Sequence, residues 1–272
     1  MENLSIFISS VISLAVIGAI AGTVLAYASQ KFKVEVDPRV EEVYEVLPKT
    51  NCGACGYPGC HPLAEAMVKG QAEPSSCLVG GEKVTGEVCK ILGTGSVAVA
   101  EKLIARLFCG GGHDKCGKKF EYHGVNNCSA AILVGDGDKL CNYGCLGYGD
   151  CVKVCKFDAM EMGEDGLPII DPIKCTSCGL CIKECPRALI QLVPKKAKIL
   201  INCSSTEKGA KVRKICKVGC IKCKLCEKKC PVKVISFPEG PLGQVLPVVD
   251  NNKCEGMKEC VKVCPTKTII EL

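Results

Sequence analysis

The sequence predicts an α+β protein in which a single N-terminal transmembrane helix precedes several small cysteine-rich domains. Three observations support this prediction. The first thirty residues contain a long apolar stretch, the chain of 272 residues holds 25 cysteines but no tryptophan, and the second half repeats one cysteine pattern. These observations bear on the anchor of the chain, on the size of its hydrophobic cores and on its fold.

The N-terminal segment 1–30 is predicted to be a membrane anchor. No charged residue occurs from Leu4 to Ala28, and a helix of that length can cross about 30 Å of hydrocarbon. Lys31 and Lys33 follow the span and no Lys or Arg precedes it. The positive-inside rule therefore places the N-terminus outside the cell (inner) membrane and the remaining chain in the cytoplasm. A cleaved signal peptide is the weaker alternative, because the basic region that begins such peptides is missing.

The cysteines must stabilise domains whose hydrophobic cores are small. The chain has only six tyrosines and six phenylalanines, so its domains bury few large aromatic side chains. Domains below roughly 70–80 residues are usually stabilised by disulfides or by metal. Because thiols remain reduced in the cytoplasm, metal binding is favoured over disulfides.

The second half of the chain is an internal repeat of cysteine motifs. Residues 141–193 contain CLGYGDCVKVC followed by CTSCGLCIKECP, and residues 216–272 contain CIKCKLCEKKCP followed by CEGMKECVKVCP. In both halves a short apolar segment separates the motifs, and Asp171 or Asp250 stands four residues before the next cysteine. This arrangement predicts two tandem ferredoxin-like units, each binding two [4Fe–4S] clusters.

Two of the four motifs match the bacterial [4Fe–4S] pattern C-x2-C-x2-C-x3-C-P completely. They consist of Cys175, Cys178, Cys181 and Cys185 in the first unit, and of Cys220, Cys223, Cys226 and Cys230 in the second. Three cysteines in one tight loop can bind one cubane without long-range loop closure, and the fourth reaches the neighbouring cluster. A four-cysteine zinc site is the alternative, but zinc ribbons separate their two cysteine pairs more widely.

The other two motifs lack the second cysteine. In the first unit Tyr148 replaces it, and Cys141 is predicted to supply the missing thiolate. In the second unit Met257 replaces it, which leaves a three-iron cluster, the spare Cys216 or an oxygen ligand as alternatives. With crossed pairing, the predicted ligand groups are Cys141, Cys145, Cys151 and Cys185; Cys155, Cys175, Cys178 and Cys181; Cys220, Cys223, Cys226 and Cys264; and Cys230, Cys254 and Cys260 with an unassigned ligand.

The N-terminal domain 31–92 carries a separate cysteine group. One short helix is predicted to begin at Asp37 and Pro38, as N-cap and first residue, and another runs from Pro62 to Lys69. The cysteines follow the spacing C-x2-C-x4-C-x16-C and are Cys52, Cys55, Cys60 and Cys77. The glycine-rich loop between them leaves N–H groups free to face cluster sulfurs. A self-contained [4Fe–4S] cluster is predicted here, with zinc as the alternative, which gives about five clusters in the chain.

Two further segments have a less regular sequence. The middle segment 93–140 contains CGGGHDKC, and the candidate ligands of an additional metal site are Cys109, Cys116, Cys128 and the spare Cys216. Segment 194–215 is predicted to be a basic linker. From Lys195 to Lys233 there are twelve lysines and one arginine against two glutamates. Such a surface would attract an acidic protein, although charge runs are often only solvated. Nucleic acid is not expected to bind, because aromatic residues suited to base stacking are nearly absent.

No catalytic residues are predicted. The sequence contains neither a Ser-His-Asp pattern nor paired carboxylates, and His61, His113 and His123 show no ligand spacing. Residues 93–98 fit the G-x-G-x-x-A pattern of dinucleotide sites, but no second strand ending in an acidic residue follows. NAD binding by this chain is therefore not expected.

The combination of motifs resembles one known family. The segments NCGACGYPGCHPLAEAMVKG, with the later Cys77, and CNYGCLGYGDCVKVC, followed by repeated ferredoxin motifs, are similar to the B subunit of the Rnf complex in its long, cluster-rich form. The resemblance covers essentially the whole chain. It implies an electron-transfer subunit that accepts electrons from reduced, acidic ferredoxin and relays them to other membrane subunits. The complex as a whole reduces NAD and transports Na+ or H+.

Two other interpretations of the sequence remain open. One is a membrane-tethered polyferredoxin that serves another reductase, and the other is a non-catalytic zinc-binding scaffold.

Overall fold

The computed structural model describes residues 2–31, 37–95, 101–240 and 245–272. Lys33 and residues 96–98 of the glycine pattern lie outside these ranges. The helices are α1 (Glu2–Lys31), α2 (Pro38–Val46), α3 (Cys60–Val68), α4 (Gly81–Leu92), α5 (Cys128–Ile132), α6 (Asp150–Lys153), α7 (Leu180–Glu184), α8 (Gly209–Ile215), α9 (Leu225–Lys229) and α10 (Glu259–Val263), with a 3-10 turn at Pro74–Ser76. The strands are β1 (Leu103–Leu107), β2 (Met160–Met162), β3 (Pro168–Ile170), β4 (Ile190–Pro194), β5 (Ile199–Ile201), β6 (Ile235–Ser236), β7 (Val248–Val249) and β8 (Ile269–Glu271). The predicted α+β class is confirmed.

Helix α1 is long and apolar enough to cross a membrane. Its segment Val11–Ser29 has a mean hydropathy of 2.2, and none of it is buried within the protein. Leu14, Ile17 and Leu25 are among its exposed side chains. A helix that exposes apolar side chains along its length is unfavourable in water and suits a bilayer, in agreement with the predicted anchor.

The N-terminal domain packs α2, α3 and α4 around one small core. Asp37 caps α2 by accepting a hydrogen bond from the Arg39 N–H at 2.9 Å. Val43, Leu63 and Val88, one from each helix, form the centre of this core. The two helices predicted here are present, and the second starts at Cys60, so a cysteine occupies its first turn.

The first ferredoxin-like unit contains two antiparallel strand pairs. β2 pairs with β3, and β1 pairs with β4 with Ile104 opposite Val193. Strand β1 lies in the predicted middle segment 93–140, which is therefore partly built into this unit. Ile104 and Ile190 pack against Cys175 and Cys181 in the core.

The second unit repeats the arrangement, with β5 paired to β8 and β6 paired to β7. Strand β5 and helix α8 lie in the predicted linker 194–215, so this segment is folded structure. Ile199, Leu200 and Ile201 are all buried. The sequence analysis did not predict this strand, because it has only three residues and the segment around it is rich in lysine.

Candidate metal centres

Group 1 is the set of Cys52, Cys55, Cys60 and Cys77 that the sequence predicts for the N-terminal domain. The Cys60 N–H donates to Oδ1 of Asn51 at 2.8 Å, which holds the cysteine loop against the first turn of α3. Cys55, Cys60 and Cys77 pack in one core cluster. Burial raises the pKa of the Cys77 thiol, and the nearby Cys60 and Cys55 act in the same direction.

Group 2 consists of Cys155, Cys175, Cys178 and Cys181. Burial raises the pKa of Cys181 to about 12, and the other three thiols act in the same direction, so all four lie near one another. The Ser177 hydroxyl donates to the carbonyl of Leu103, which ties the cysteine loop to β1. These are the four cysteines that crossed pairing predicts. Since a thiol with a raised pKa is protonated at neutral pH, metal binding here must release protons.

Group 3 differs from the predicted group in its fourth cysteine. Its cavity is lined by Cys128, Cys145, Cys151 and Cys185. Cys128 takes the position predicted for Cys141 because its N–H donates to the buried carboxylate of Asp150 at 2.7 Å. Burial raises the pKa of Cys151 to about 12, with further contributions from the neighbouring Cys128 and Cys185. Cys141 lines a different cavity.

Group 4 consists of Cys220, Cys223, Cys226 and Cys264, which line one cavity. Burial raises the pKa of Cys220 to about 11 and that of Cys226 to about 12. Cys223 is the one cysteine with an exposed side chain in the described ranges. The grouping agrees with crossed pairing and brings one edge of the group close to solvent.

Group 5 contains three cysteines and a methionine. Its cavity is lined by Cys230, Cys254, Cys260 and Met257. The backbone of Cys216 instead pairs with that of Cys116 in an isolated antiparallel β-bridge, and the two side chains pack together there. Cys216 is therefore not available to complete this group. Met257 is 45% exposed, and solvent therefore reaches the position of the missing ligand.

Replacing Met257 by cysteine is expected to complete group 5. A fourth thiolate would convert a three-iron cluster into a [4Fe–4S] cluster, which adds about one iron atom per chain and removes the EPR signal of an oxidised three-iron cluster. Anaerobic iron analysis and EPR spectroscopy measure both effects. Met257→Leu is the matched control, because it keeps the bulk of the side chain without a thiolate. Equal iron content and identical spectra in the M257C and M257L variants would contradict the expectation.

The remaining cysteines gather in one place, apart from Cys89, which lies in α4. A single cavity, here called the five-cysteine cavity, is lined by Cys109, Cys116, Cys141, Cys203 and Cys216. The sequence singled out three of these as extra candidates but grouped them with Cys128, which belongs to group 3. It missed Cys203, since no cysteine motif surrounds that residue.

The donor set fits an iron–sulfur cubane. In the described ranges, no three His, Cys, Asp or Glu side chains lie close enough to hold one metal ion. A zinc ion draws four ligands to about 2.3 Å from a single point. The cavities of groups 3 and 4 are instead each bordered by four separate thiols, which is the number and type of ligand that a [4Fe–4S] cluster requires.

The described half of the glycine pattern at residues 93–98 does not follow a strand. The preceding residues VCKIL belong to α4, and Gly93 ends that helix in the left-handed region with φ 66°. A dinucleotide site places its glycines directly after a strand. The helix supports the exclusion of NAD binding here.

Three family models match the chain. An Fe-S cluster model matches residues 47–79, a 4Fe-4S binding domain matches residues 168–191, and a 4Fe-4S dicluster domain matches residues 219–268. They cover group 1 and parts of both ferredoxin-like units.

Curated relatives match over nearly the whole chain. The B subunit of the Na(+)-translocating ferredoxin:NAD(+) oxidoreductase complex of Acetobacterium woodii is 42% identical, over 94% of this chain and 75% of the relative. The B subunit of the ion-translocating oxidoreductase complex of Methanosarcina acetivorans is 41% identical, over 97% of this chain and 98% of the relative. The B subunit of the proton-translocating ferredoxin:NAD(+) oxidoreductase complex of Clostridium ljungdahlii is 42% identical, over 94% of this chain and 89% of the relative.

Proposed function

Since the chain belongs to the family of B subunits of ion-translocating ferredoxin:NAD(+) oxidoreductase complexes, we propose that reduced ferredoxin donates electrons to its C-terminal unit and that they leave near the membrane anchor. The chain is an electron-transfer subunit with [4Fe–4S] domains. Five clusters are assigned to groups 1 to 5, with group 5 incomplete in thiolates.

The proposal rests on the succession of neighbouring cysteine groups. Cys52 of group 1 lies near Cys178 of group 2, and the Lys156 ammonium donates to the Asn51 carbonyl at 3.4 Å across the same boundary. Groups 2 and 3 share the core of the first unit, and groups 4 and 5 share that of the second. The proximity of group 1 to group 2, and of the two groups within each unit, supports a relay along the chain.

Bound [4Fe–4S] clusters would supply one-electron transfer at each group. The protein contributes the thiols, the burial and the hydrogen bonds that tune reduction potential. The Leu189 N–H donates to the sulfur of Cys185 at 3.4 Å, and the Thr268 N–H donates to that of Cys264 at 3.3 Å. Hydrogen bonds to ligand sulfurs stabilise the more negative, reduced state.

The ferredoxin-facing side is assigned from charge and exposure. Cys223 of group 4 is exposed, and Lys224, Lys228 and Lys229 are exposed around it. The donor ferredoxins expected from the family are acidic, so this surface, here called the lysine surface, would attract them.

The membrane anchor is proposed to lie with its N-terminus outside. Lys31 ends α1, and basic residues favour the cytoplasmic end of a span. The cysteine groups would then face cytoplasmic ferredoxin. Two relatives that are both 42% identical to this chain are named for different ions, Na(+) and the proton. Because similar B subunits occur with either ion, we infer that other subunits select the ion.

Anaerobic purification followed by reduction with ferredoxin tests the function. The chain should be brown, contain acid-labile sulfide, and develop the EPR signals of reduced clusters when reduced ferredoxin is added. Co-purification with other membrane subunits would distinguish this function from that of a membrane-tethered polyferredoxin, which should be isolated alone. A colourless, sulfide-free protein containing zinc would overturn the proposal.

A further inference from the structure

We propose that Arg187 raises the reduction potential of the cluster in group 3, and that its Nε–H donates a hydrogen bond to a sulfur atom of that cluster. This inference rests on the proposed electron-transfer function and goes beyond it. It names a side chain that is not a ligand and assigns it the tuning of one particular site.

Arg187 stands in a tight turn directly after a ligand of group 3. The Ala188 N–H donates to the Cys185 carbonyl at 3.0 Å, which makes Arg187 the third residue of the turn. The same hydrogen bond closes a turn after the last cysteine of each motif in the second unit, where the third residues are Val232 and Thr266. Arginine at this position is therefore a feature of group 3 and not of the turn in general.

The guanidinium of Arg187 is held in place by backbone carbonyls of the loop that precedes Cys145. Its Nη1 donates to the Cys141 carbonyl at 3.1 Å and also to the Gly144 carbonyl. Its Nη2 donates to the Asp136 carbonyl. Because arginine remains protonated at neutral pH, these hydrogen bonds fix a full positive charge beside group 3.

The Nε–H of Arg187 is the donor that these carbonyls do not use. The Nε atom is buried, and no atom in the described part of the chain accepts a hydrogen bond from it. Arg187 also lines the cavity of group 3, together with the four cysteines of that group. Because buried N–H groups are almost always paired, this donor points to an acceptor that binds in the cavity. The sulfur atoms of a cluster would be such acceptors, and their negative charge would strengthen the hydrogen bond.

Asp150 brings the opposite charge to the same cavity. It lines the cavity of group 3 and is only 4% exposed. Its carboxylate accepts hydrogen bonds from the Cys128 N–H at 2.7 Å and from the Lys153 ammonium at 3.3 Å. A buried negative charge opposes the addition of an electron nearby. Asp150 therefore lowers the reduction potential of a cluster in this cavity.

The charge and the free donor of Arg187 both act against Asp150. Reduction makes a cluster more negative, so its attraction to the guanidinium increases. A hydrogen bond to a cluster sulfur also becomes stronger on reduction, because the acceptor then carries more negative charge. Arg187 thus offsets the buried carboxylate and makes group 3 a better electron acceptor in the proposed relay.

Potentiometric titration followed by EPR tests the tuning with two variants of opposite effect. The signal of group 3 is the one that changes in Cys128→Ala. Arg187→Met should shift its potential to a more negative value. Asp150→Asn, which keeps an oxygen that can accept from the Cys128 N–H, should shift it to a less negative value. Glu161→Gln removes a charge from an exposed position of β2 and should leave all potentials unchanged. An unshifted group 3 potential in R187M at full iron content would overturn this inference and leave the proposed function standing, whereas absence of sulfide from the unmodified chain would overturn both.

Pulsed EPR detects the hydrogen bond itself and does not depend on the stability of R187M. The chain contains four arginines, Arg39, Arg106, Arg187 and Arg213, so ¹⁵N in their guanidinium groups labels few positions. In the reduced, labelled chain the group 3 signal should show a coupling to ¹⁵N. Arg187→Lys should abolish this coupling, and Arg213→Lys, at an exposed position of α8, should preserve it. Absence of a ¹⁵N coupling to the group 3 signal of the unmodified chain, or its persistence in R187K, would overturn the inference.

Discussion

Replacing Cys178 by alanine is expected to reduce ferredoxin-driven reduction of group 1 by more than about 100-fold. Group 2 lies between group 1 and the rest of the proposed relay, and Cys178 is the thiol of group 2 near Cys52. Changes to residues that merely support metal ligands cost roughly 10–100-fold, and loss of a ligand in the connecting group should cost at least as much. The change removes one thiol and leaves α1 intact, so membrane insertion should be unaffected.

Rapid-freeze EPR measures this effect directly. Reduced ferredoxin is mixed with the oxidised complex, and the signals of the C-terminal unit are followed separately from those of group 1. In the C178A variant the C-terminal signals should appear at the normal rate, whereas those of group 1 should be delayed. Cys89→Ala provides the matched control. Normal reduction of group 1 in C178A would show that electrons bypass group 2.

The sequence predicted the ligand groups in which most of the cysteines lie close together along the chain. Cys175, Cys178 and Cys181 lie within one loop, so their spacing alone defines most of a ligand set. The same applies to Cys220, Cys223 and Cys226. Group 1 likewise follows one motif, and the N-cap of α2, Asp37, is recognisable from the sequence.

The parts that the sequence did not predict depend on tertiary contacts. The sequence predicts Cys141 as the fourth member of group 3, because it stands four residues before Cys145. In the structure Asp150 accepts a hydrogen bond from the N–H of Cys128, and Cys128 lines the cavity instead. Cys203 has no cysteine motif around it, and its position in the lining of the five-cysteine cavity depends on the buried strand β5 that precedes it.

The short strands β1 and β5 illustrate the same limit for the fold. Each contributes a few buried residues to a two-stranded pair, and each lies in a segment whose composition indicates a connecting region. In a protein stabilised by metal ligands, such strands need little apolar length of their own. Both strands lead directly to cysteines of the five-cysteine cavity, and their pairing is therefore part of how that cavity is positioned.

Neutralising the lysine surface is expected to slow electron transfer from ferredoxin by roughly 10–100-fold at low ionic strength, because electrostatic steering changes association rates by about 10–10³. The change is Lys224→Gln, Lys228→Gln and Lys229→Gln together. Lys222 is left in place, since its ammonium donates to the Glu207 carbonyl and supports the fold. The three chosen side chains are exposed, so their loss should not disturb the buried cysteines of group 4.

Stopped-flow measurement of ferredoxin oxidation over a range of salt concentrations tests this prediction. The rate for the unmodified chain should fall as salt screens the attraction, and the triple variant should show a lower rate with a flatter salt dependence. The control is Lys69→Gln, Lys83→Gln and Lys90→Gln, which removes the same charge from exposed positions of the N-terminal domain. If both triple variants slow the reaction equally, net charge alone steers ferredoxin. If only the control variant slows it, ferredoxin docks near group 1, and the direction of the proposed relay is reversed.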